Sequence, residues 1–261
     1  MTEEQSTKTS PMEKNKRTVC FFMVYYKRPE LTRMSMYHMA KIIKKFTDAG
    51  HPSVGIVVGD EPQQKSYAES LGLEHHSQPN LPLRDKFASA FQEALKTDSD
   101  YVCWLGSNNI HSEEYLDKCI VSLEGEAVPS FGTNRFTVLS TDKKNQETCV
   151  FTCRRYHLVS AGQFYFSISL KKAVNFSTVY GHEQTLNFDG KVNAAMVKKW
   201  DESVLHKASC EPEDCLDIKD GTDMHSYDSY ISLKHYPRHI CRDELYTKYE
   251  ELQMLERGDF A

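Results

Sequence analysis

Apolar residues along this chain fall into two kinds of pattern. Val19-Cys20-Phe21-Phe22-Met23-Val24-Tyr25-Tyr26 is a continuous apolar run of strand length, as expected for a strand covered on both faces. Pro29 then suits the first position of a helix, and Leu31, Met34, His38, Ile42 and Phe46 recur at spacings of three and four, up to a stop at Gly50. The unit repeats. Val54 to Val58 predicts a second strand ending at Gly59-Asp60, followed by a helix from Pro62 to Leu71 and a short strand near Leu73 to His76. A helix over about Arg84 to Lys96 leads to a further buried strand, Tyr101 to Leu105, which stops at Gly106-Ser107-Asn108-Asn109. Strands alternating with helices predict an open α/β sheet, whose ligands bind at the carboxyl ends of the strands.

After an amphipathic helix over Ser112 to Leu123 the pattern changes. Segments near 127–139, 148–155 and 163–169 read as strands between polar turns, Glu211 to Asp223 reads as acidic and turn-rich, and Asp243 to Leu255 as one closing helix. Residues 1–17 carry almost nothing apolar and are expected to be a flexible tail, with a single domain over 18–261. That domain divides into an α/β half, 18–124, and an irregular α+β half, 125–261.

Composition narrows the class. With 39% hydrophobic residues, 12 Gly, 9 Pro and 8 Cys in 261, the chain is neither collagen-like, disordered nor a disulfide scaffold. The cysteines form no Cys-x-x-Cys pair, and the spacings 149/153 and 210/215 are not those of a zinc site. No apolar run is long enough to span a bilayer and no secretory signal is visible, so no membrane partner and a cytoplasmic location are expected. A net charge of −5 argues against an all-over basic nucleic-acid coat.

The strand ending in Tyr26-Lys27-Arg28-Pro29, then Val57-Val58-Gly59-Asp60, Asn80-Leu81-Pro82-Leu83 and Asp100-Tyr101-Val102-Cys103-Trp104-Leu105, together resemble the first 100 or so residues of GT-A-fold glycosyltransferases, particularly the family-2-like group. The resemblance implies an open mixed sheet flanked by helices, a nucleotide-sugar donor (a UDP-sugar first), and donor contacts from Tyr26, Lys27, Arg28, Asp60, Arg84, Lys86, Ser107, Asn108 and Asn109. The first half, 18–124, would bind the donor and the second, 125–261, the acceptor.

One departure is diagnostic. Where the family has Asp-x-Asp-Asp, whose carboxylates hold Mn2+ or Mg2+ against the donor diphosphate, this chain has Gly106-Ser107-Asn108-Asn109. Metal-independent transfer, a metal held elsewhere (His225 being where some relatives place a ligand) and a non-catalytic nucleotide-sugar binder are the open alternatives. Lys27, Arg28, Arg84 and Lys86 are the bases that could stand in as phosphate counter-charges. For the general base of an inverting transfer the resemblance points to the stretch after Ala161-Gly162-Gln163-Phe164, with Asp189 first and Glu183 second. Asp217 to His225 alternates charges around a Gly turn and is similar to a segment of small phage-encoded relatives. That likeness implies a hydroxymethylated pyrimidine in double-stranded phage DNA as acceptor, with Arg154-Arg155, Lys171-Lys172 and Lys198-Lys199 as a phosphate track and Tyr165 or Tyr180 stacking on the base. A saccharide or lipid-linked acceptor is the alternative. A nucleotidyltransferase would need a Gly-rich loop after the first strand, and that loop is missing.

Overall fold

The computed structural model describes residues 16–80, 83–142, 148–152, 162–176, 188–200, 205–207, 211–220 and 240–261. From Val19 to Gly106 the elements come in the order that the pattern predicts: β1 (Val19–Val24), α1 (Pro29–Asp48), β2 (Ser53–Gly59), α2 (Pro62–Ser70), β3 (Glu74–Ser77), α3 (Leu83–Lys96) and β4 (Tyr101–Gly106), while residues 1–15 of the expected tail lie outside the described residues. Then come β5 (Asn109–His111), α4 (Glu113–Glu124), β6 (Ser130–Gly132), β7 (Arg135–Ser140), β8 (Cys149–Thr152), β9 (Gln163–Phe166), α5 (Ser167–Ala173), α6 (Phe188–Trp200), β10 (Leu205–Lys207) and β11 (Cys215–Lys219). Helices α7 (Arg242–Lys248) and α8 (Glu250–Arg257) follow.

Among the described residues seven strands form the larger sheet in the order β10-β6-β9-β4-β1-β2-β3, parallel throughout except for β9. Because successive side chains of a strand point to opposite faces, β1 serves two cores. Phe21 and Met23 meet α1, α2 and α4 on one face, while Cys20, Phe22 and Val24 meet α3, α5 and α6 on the other. Fully burying an aromatic or aliphatic side chain contributes about 1.5–3 kcal/mol, so a central strand with no exposed residue anchors both layers. Strands from both sides of residue 124 enter both sheets: β6, β9 and β10 extend the larger one, and β5 joins β11, β7 and β8 in a smaller four-stranded sheet.

Several boundaries depart from the sequence pattern. Arg17, expected in the tail, donates from Nε to the Leu123 carbonyl (2.9 Å) and from its terminal nitrogen to that of Gly125 (3.0 Å). The expected strand 127–139 is two strands, and the one expected over 163–169 becomes helical at Ser167. The closing helix breaks at Tyr249 (φ −115°, ψ 110°), whose ring enters a third core while its hydroxyl donates to the Glu213 carbonyl at 2.6 Å. Past that break, Glu251 accepts from His38 Nδ1 (3.0 Å) and Lys41 Nζ (2.8 Å), fastening α8 to α1. Burial would raise the Glu251 carboxyl, but these two donors bring it down to about 2. The largest departure is β11, expected as an acidic turn and found as a strand with every residue buried.

Candidate functional site

Chain order makes the crevice. From β1 the chain moves to β2 and β3 on one side, then crosses to β4 on the other, so the sheet's switch point lies between the carboxyl ends of β1 and β4. At the end of β1 the backbone turns sharply. Lys27 and Arg28 both take left-handed conformations, φ 57° and 51°, with no glycine to ease them. Such residues cost about 1–3 kcal/mol each and persist where surrounding bonds fix them. Here the Lys27 N–H donates to Glu61 Oε1 (3.3 Å), Thr32 Oγ1 donates to the Lys27 carbonyl (3.2 Å), and Pro29 opens α1 directly after Arg28. The turn exposes Tyr26, lays Lys27 Nζ 5.0 Å from its ring centre, and aims the Arg28 guanidinium at Ser107 Oγ, 3.1 Å away.

One corner of the crevice joins the ends of β1 and β2 to the loop before α3. Asn80 Nδ2 donates to Asp60 Oδ1 (2.6 Å) and toward Glu61 Oε1 (3.4 Å), while Lys86 Nζ bonds Asn80 Oδ1 and the Tyr25 carbonyl. Lys86 is fully buried. Burial lowers its ammonium to about 8, against the upward pull of Glu61 and Asp60. Tyr25 is buried at this corner and shares a 2.8 Å hydrogen bond with His75 Nε2. Burial first, then Glu61 and Asp60, push its phenol upward, so it stays protonated. Gly59 is needed for close approach, since a Cβ there would collide with the Tyr25 ring. Glu61 Oε2 is buried without a hydrogen-bond partner among the described residues.

The second corner joins β4 to the smaller sheet. Asn108 Nδ2 donates to Asp217 Oδ1 (2.7 Å) and the Ile218 carbonyl (2.9 Å), and Asn109 Nδ2 donates to the Leu216 carbonyl (3.2 Å). Both asparagines, expected to face the donor, therefore stitch the turn after β4 to β11. Asp217 Oδ2 in turn lies 3.0 Å from Lys219 Nζ, with both residues buried.

The structure thus brings Tyr26, Lys27, Arg28, Asp60, Lys86, Ser107, Asn108 and Asn109 around one crevice. Arg84 and Asp189 are each the second residue of a helix, α3 and α6. Glu183 and His225 lie outside the described residues, as do Arg154, Arg155 and Tyr180. Tyr165, expected to be an exposed stacking ring, is buried and hydrogen-bonded to Gln163 and Asn193, because β9 runs between β4 and β6 inside the larger sheet. Three residues of the crevice were missed in the sequence: Glu61, Asp217 and Lys219. Glu61 carried a signal, an acid adjoining Asp60 at a strand end; the other two looked like solvated charges.

No protein-family profile and no curated protein sequence match this chain. Among solved structures it is similar to Mycobacterium tuberculosis glucosyl-3-phosphoglycerate synthase. With Mg2+ and uridine diphosphate bound, that enzyme gives 11% identity and a TM-score of 0.46 over 73% of this chain and 68% of that one. Another crystal structure of it gives 11% and 0.47 over 82% and 75%. Its complex with Mn2+ and UDP-glucose gives 12% and 0.45 over 73% and 68%. What this chain does has to be read from its own side chains.

Proposed function

We propose that this chain is a GT-A-like glycosyltransferase, carrying a sugar from a nucleotide-sugar donor to an acceptor hydroxyl. The observation that carries this reading is the pairing of two unlike corners at one switch point. An acceptor-rich corner (Asp60, Glu61 with its unpartnered oxygen, Asn80) suits the N–H and hydroxyl groups of a nucleoside, and a cation-flanked corner at Arg28 and Ser107 suits a diphosphate. In the transfer, the acceptor oxygen attacks the anomeric carbon and gives its proton to Asp189, or to Glu183 in its place. The bond from that carbon to the diphosphate breaks, and the nucleoside diphosphate leaves with the electron pair.

A saccharide or lipid-linked hydroxyl suits this crevice better than a base in DNA. A groove of about 440 Å³ at the start of α1 is lined by Pro29, Glu30, Leu31, Thr141, Asp220, Tyr246, Leu255 and Glu256. Three carboxylates there repel a phosphodiester and accept hydrogen bonds from a polyol. The basic pairs of α5 and α6 sit at the other end of the sheet: the Ser167 N–H donates to the carbonyl of Asp100, just before β4, and Trp200 Nε1 donates to the Ser169 carbonyl. About 20 Å of strand, six residues at roughly 3.3 Å each, separates that end from the crevice.

Calorimetric titration with UDP, GDP, CDP, dTDP and ADP, run beside a donor-hydrolysis assay, tests the reading. Binding of one nucleotide with turnover of its sugar conjugate is expected. Binding without any hydrolysis or transfer would leave a nucleotide-sugar binding protein. Saccharide acceptors and hydroxymethylcytosine DNA, offered side by side and analysed by mass spectrometry, decide the acceptor.

A further inference from the structure

Residues 106–109 stand where the family resemblance implies carboxylates around a divalent ion, and the side chains here do not suit one. Gly106 offers no ligand, and the Asn108 amide nitrogen is turned toward Asp217. The carboxylate beside the turn, Asp217, already has an ammonium 3.0 Å away. A divalent ion needs several oxygens at about 2.0–2.6 Å and would have to displace Lys219. Among the described residues no group of three or more His, Cys, Asp or Glu is placed to hold a metal ion.

Strand register fixes where that ammonium sits. β11 runs antiparallel to β5 with Asp217 opposite Asn109, a pairing closed by the bond from the Ile218 N–H to the Asn108 carbonyl (2.9 Å). Lys219 follows two residues on, on the same face of β11 as Asp217, and its Nζ lies 3.0 Å from Asp217 Oδ2. From the β1 side, Arg28 reaches Ser107. Arg28 thus bonds the turn that ends β4, and the buried ammonium of Lys219 is tied to the same turn through Asp217, whose other oxygen accepts from Asn108.

Resting on the nucleotide-sugar reading, we propose that Lys219, together with Arg28, supplies the charge that neutralises the donor diphosphate, so that the chain handles its donor without a divalent ion. As the glycosidic carbon–oxygen bond breaks, the electron pair passes to the departing phosphate oxygen. A fixed ammonium and guanidinium stabilise the charge developing there with no reorganisation. Asp217 is the positioning residue, holding Lys219 through Oδ2 and the turn through Oδ1.

The test measures affinity for UDP, GDP, CDP, dTDP and ADP and for the matching nucleosides, in EDTA and again with Mn2+ or Mg2+. Wild type is expected to bind one diphosphate in EDTA about as tightly as with metal. Lys219→Met should weaken that diphosphate about tenfold or more, as loss of a charge-assisted hydrogen bond implies, and spare the nucleoside; Lys219→Arg should restore most of the affinity. Arg28→Gln, at an accessible turn, should lower the same diphosphate-to-nucleoside ratio, which keeps the test alive if the buried variant fails to fold. Diphosphate binding abolished by EDTA and restored by Mn2+ overturns the inference and leaves the nucleotide-sugar reading standing. Equal loss of diphosphate and nucleoside in Lys219→Met overturns it too. No nucleotide bound under any condition overturns that reading and this inference with it.

Discussion

The two corners of the crevice are built from opposite materials. Around Asp60, Glu61 and Asn80 the Asp60 carboxylate is exposed, one buried carboxylate oxygen of Glu61 has no hydrogen-bond partner among the described residues, and the buried Lys86 is bonded to Asn80 and the Tyr25 carbonyl. Around Ser107, Asn108 and Asp217 the polar groups are spent on one another, with Arg28 bonded to the turn and Lys219 tied to it through Asp217. The first corner has acceptors to offer a ligand and the second has charge. On the proposed reading, the contrast teaches that a site without an acidic motif can still meet a diphosphate, provided the charge is carried by the fold.

Four experiments bear on that contrast. The largest effect should leave both corners intact: Asp189→Asn is expected to lower turnover roughly 10²–10⁴-fold, the contribution of a general base, with donor affinity unchanged by calorimetry. Wild-type turnover in that variant moves the role to Glu183. Next, Asp217→Ala should destabilise the protein by about 3–5 kcal/mol in urea unfolding, because it strands a buried ammonium and removes the acceptor of Asn108. A loss below about 1 kcal/mol would show that the second corner is not held together as described.

Acid should act on the bonds that fasten α8 to α1. Glu251 has its carboxyl lowered to about 2 from an ordinary 4.5, so its contribution is complete above about 4.5 and is lost as pH falls toward 2. The full loss is about 3 kcal/mol, and Glu251→Gln should flatten that limb of the stability profile. The smallest effect is at the open corner: Asp60→Ala should weaken nucleotide binding by about 1–3 kcal/mol, the worth of a hydrogen bond to a polar partner. Unchanged affinity removes Asp60 from the site.

How much of this was legible in the sequence depended on which faces a strand buries. β1, β2 and β4 are covered on both sides, so their apolar runs stood out, and with them the strand ends that carry Arg28, Asp60 and Ser107. β11 was illegible for the opposite reason. Its Asp217 and Lys219 meet inside the protein, and an alternating acid and base in one dimension look the same whether they face water or each other. β5 is only three residues long and is defined by that unseen partner. The break at Tyr249 was hidden because Leu245, Leu252 and Leu255 keep helical spacing across it.

The place of β9 has a consequence for how the molecule can be made. It is the one strand of the larger sheet that runs against the rest, and it joins β4 to β6. When a ribosome has released residue 124, β4 has β1 on one side and bare backbone on the other, and it stays so until residue 166 emerges. An unpaired, apolar strand edge is a template for pairing with another chain. Expressing 18–124 alone as a miniature nucleotide binder would freeze the molecule at that stage, and the fragment is expected to aggregate. The segments before and after residue 124 are thus a single unit of synthesis, and any redesign that exchanges one of them has to carry β9 along with β4.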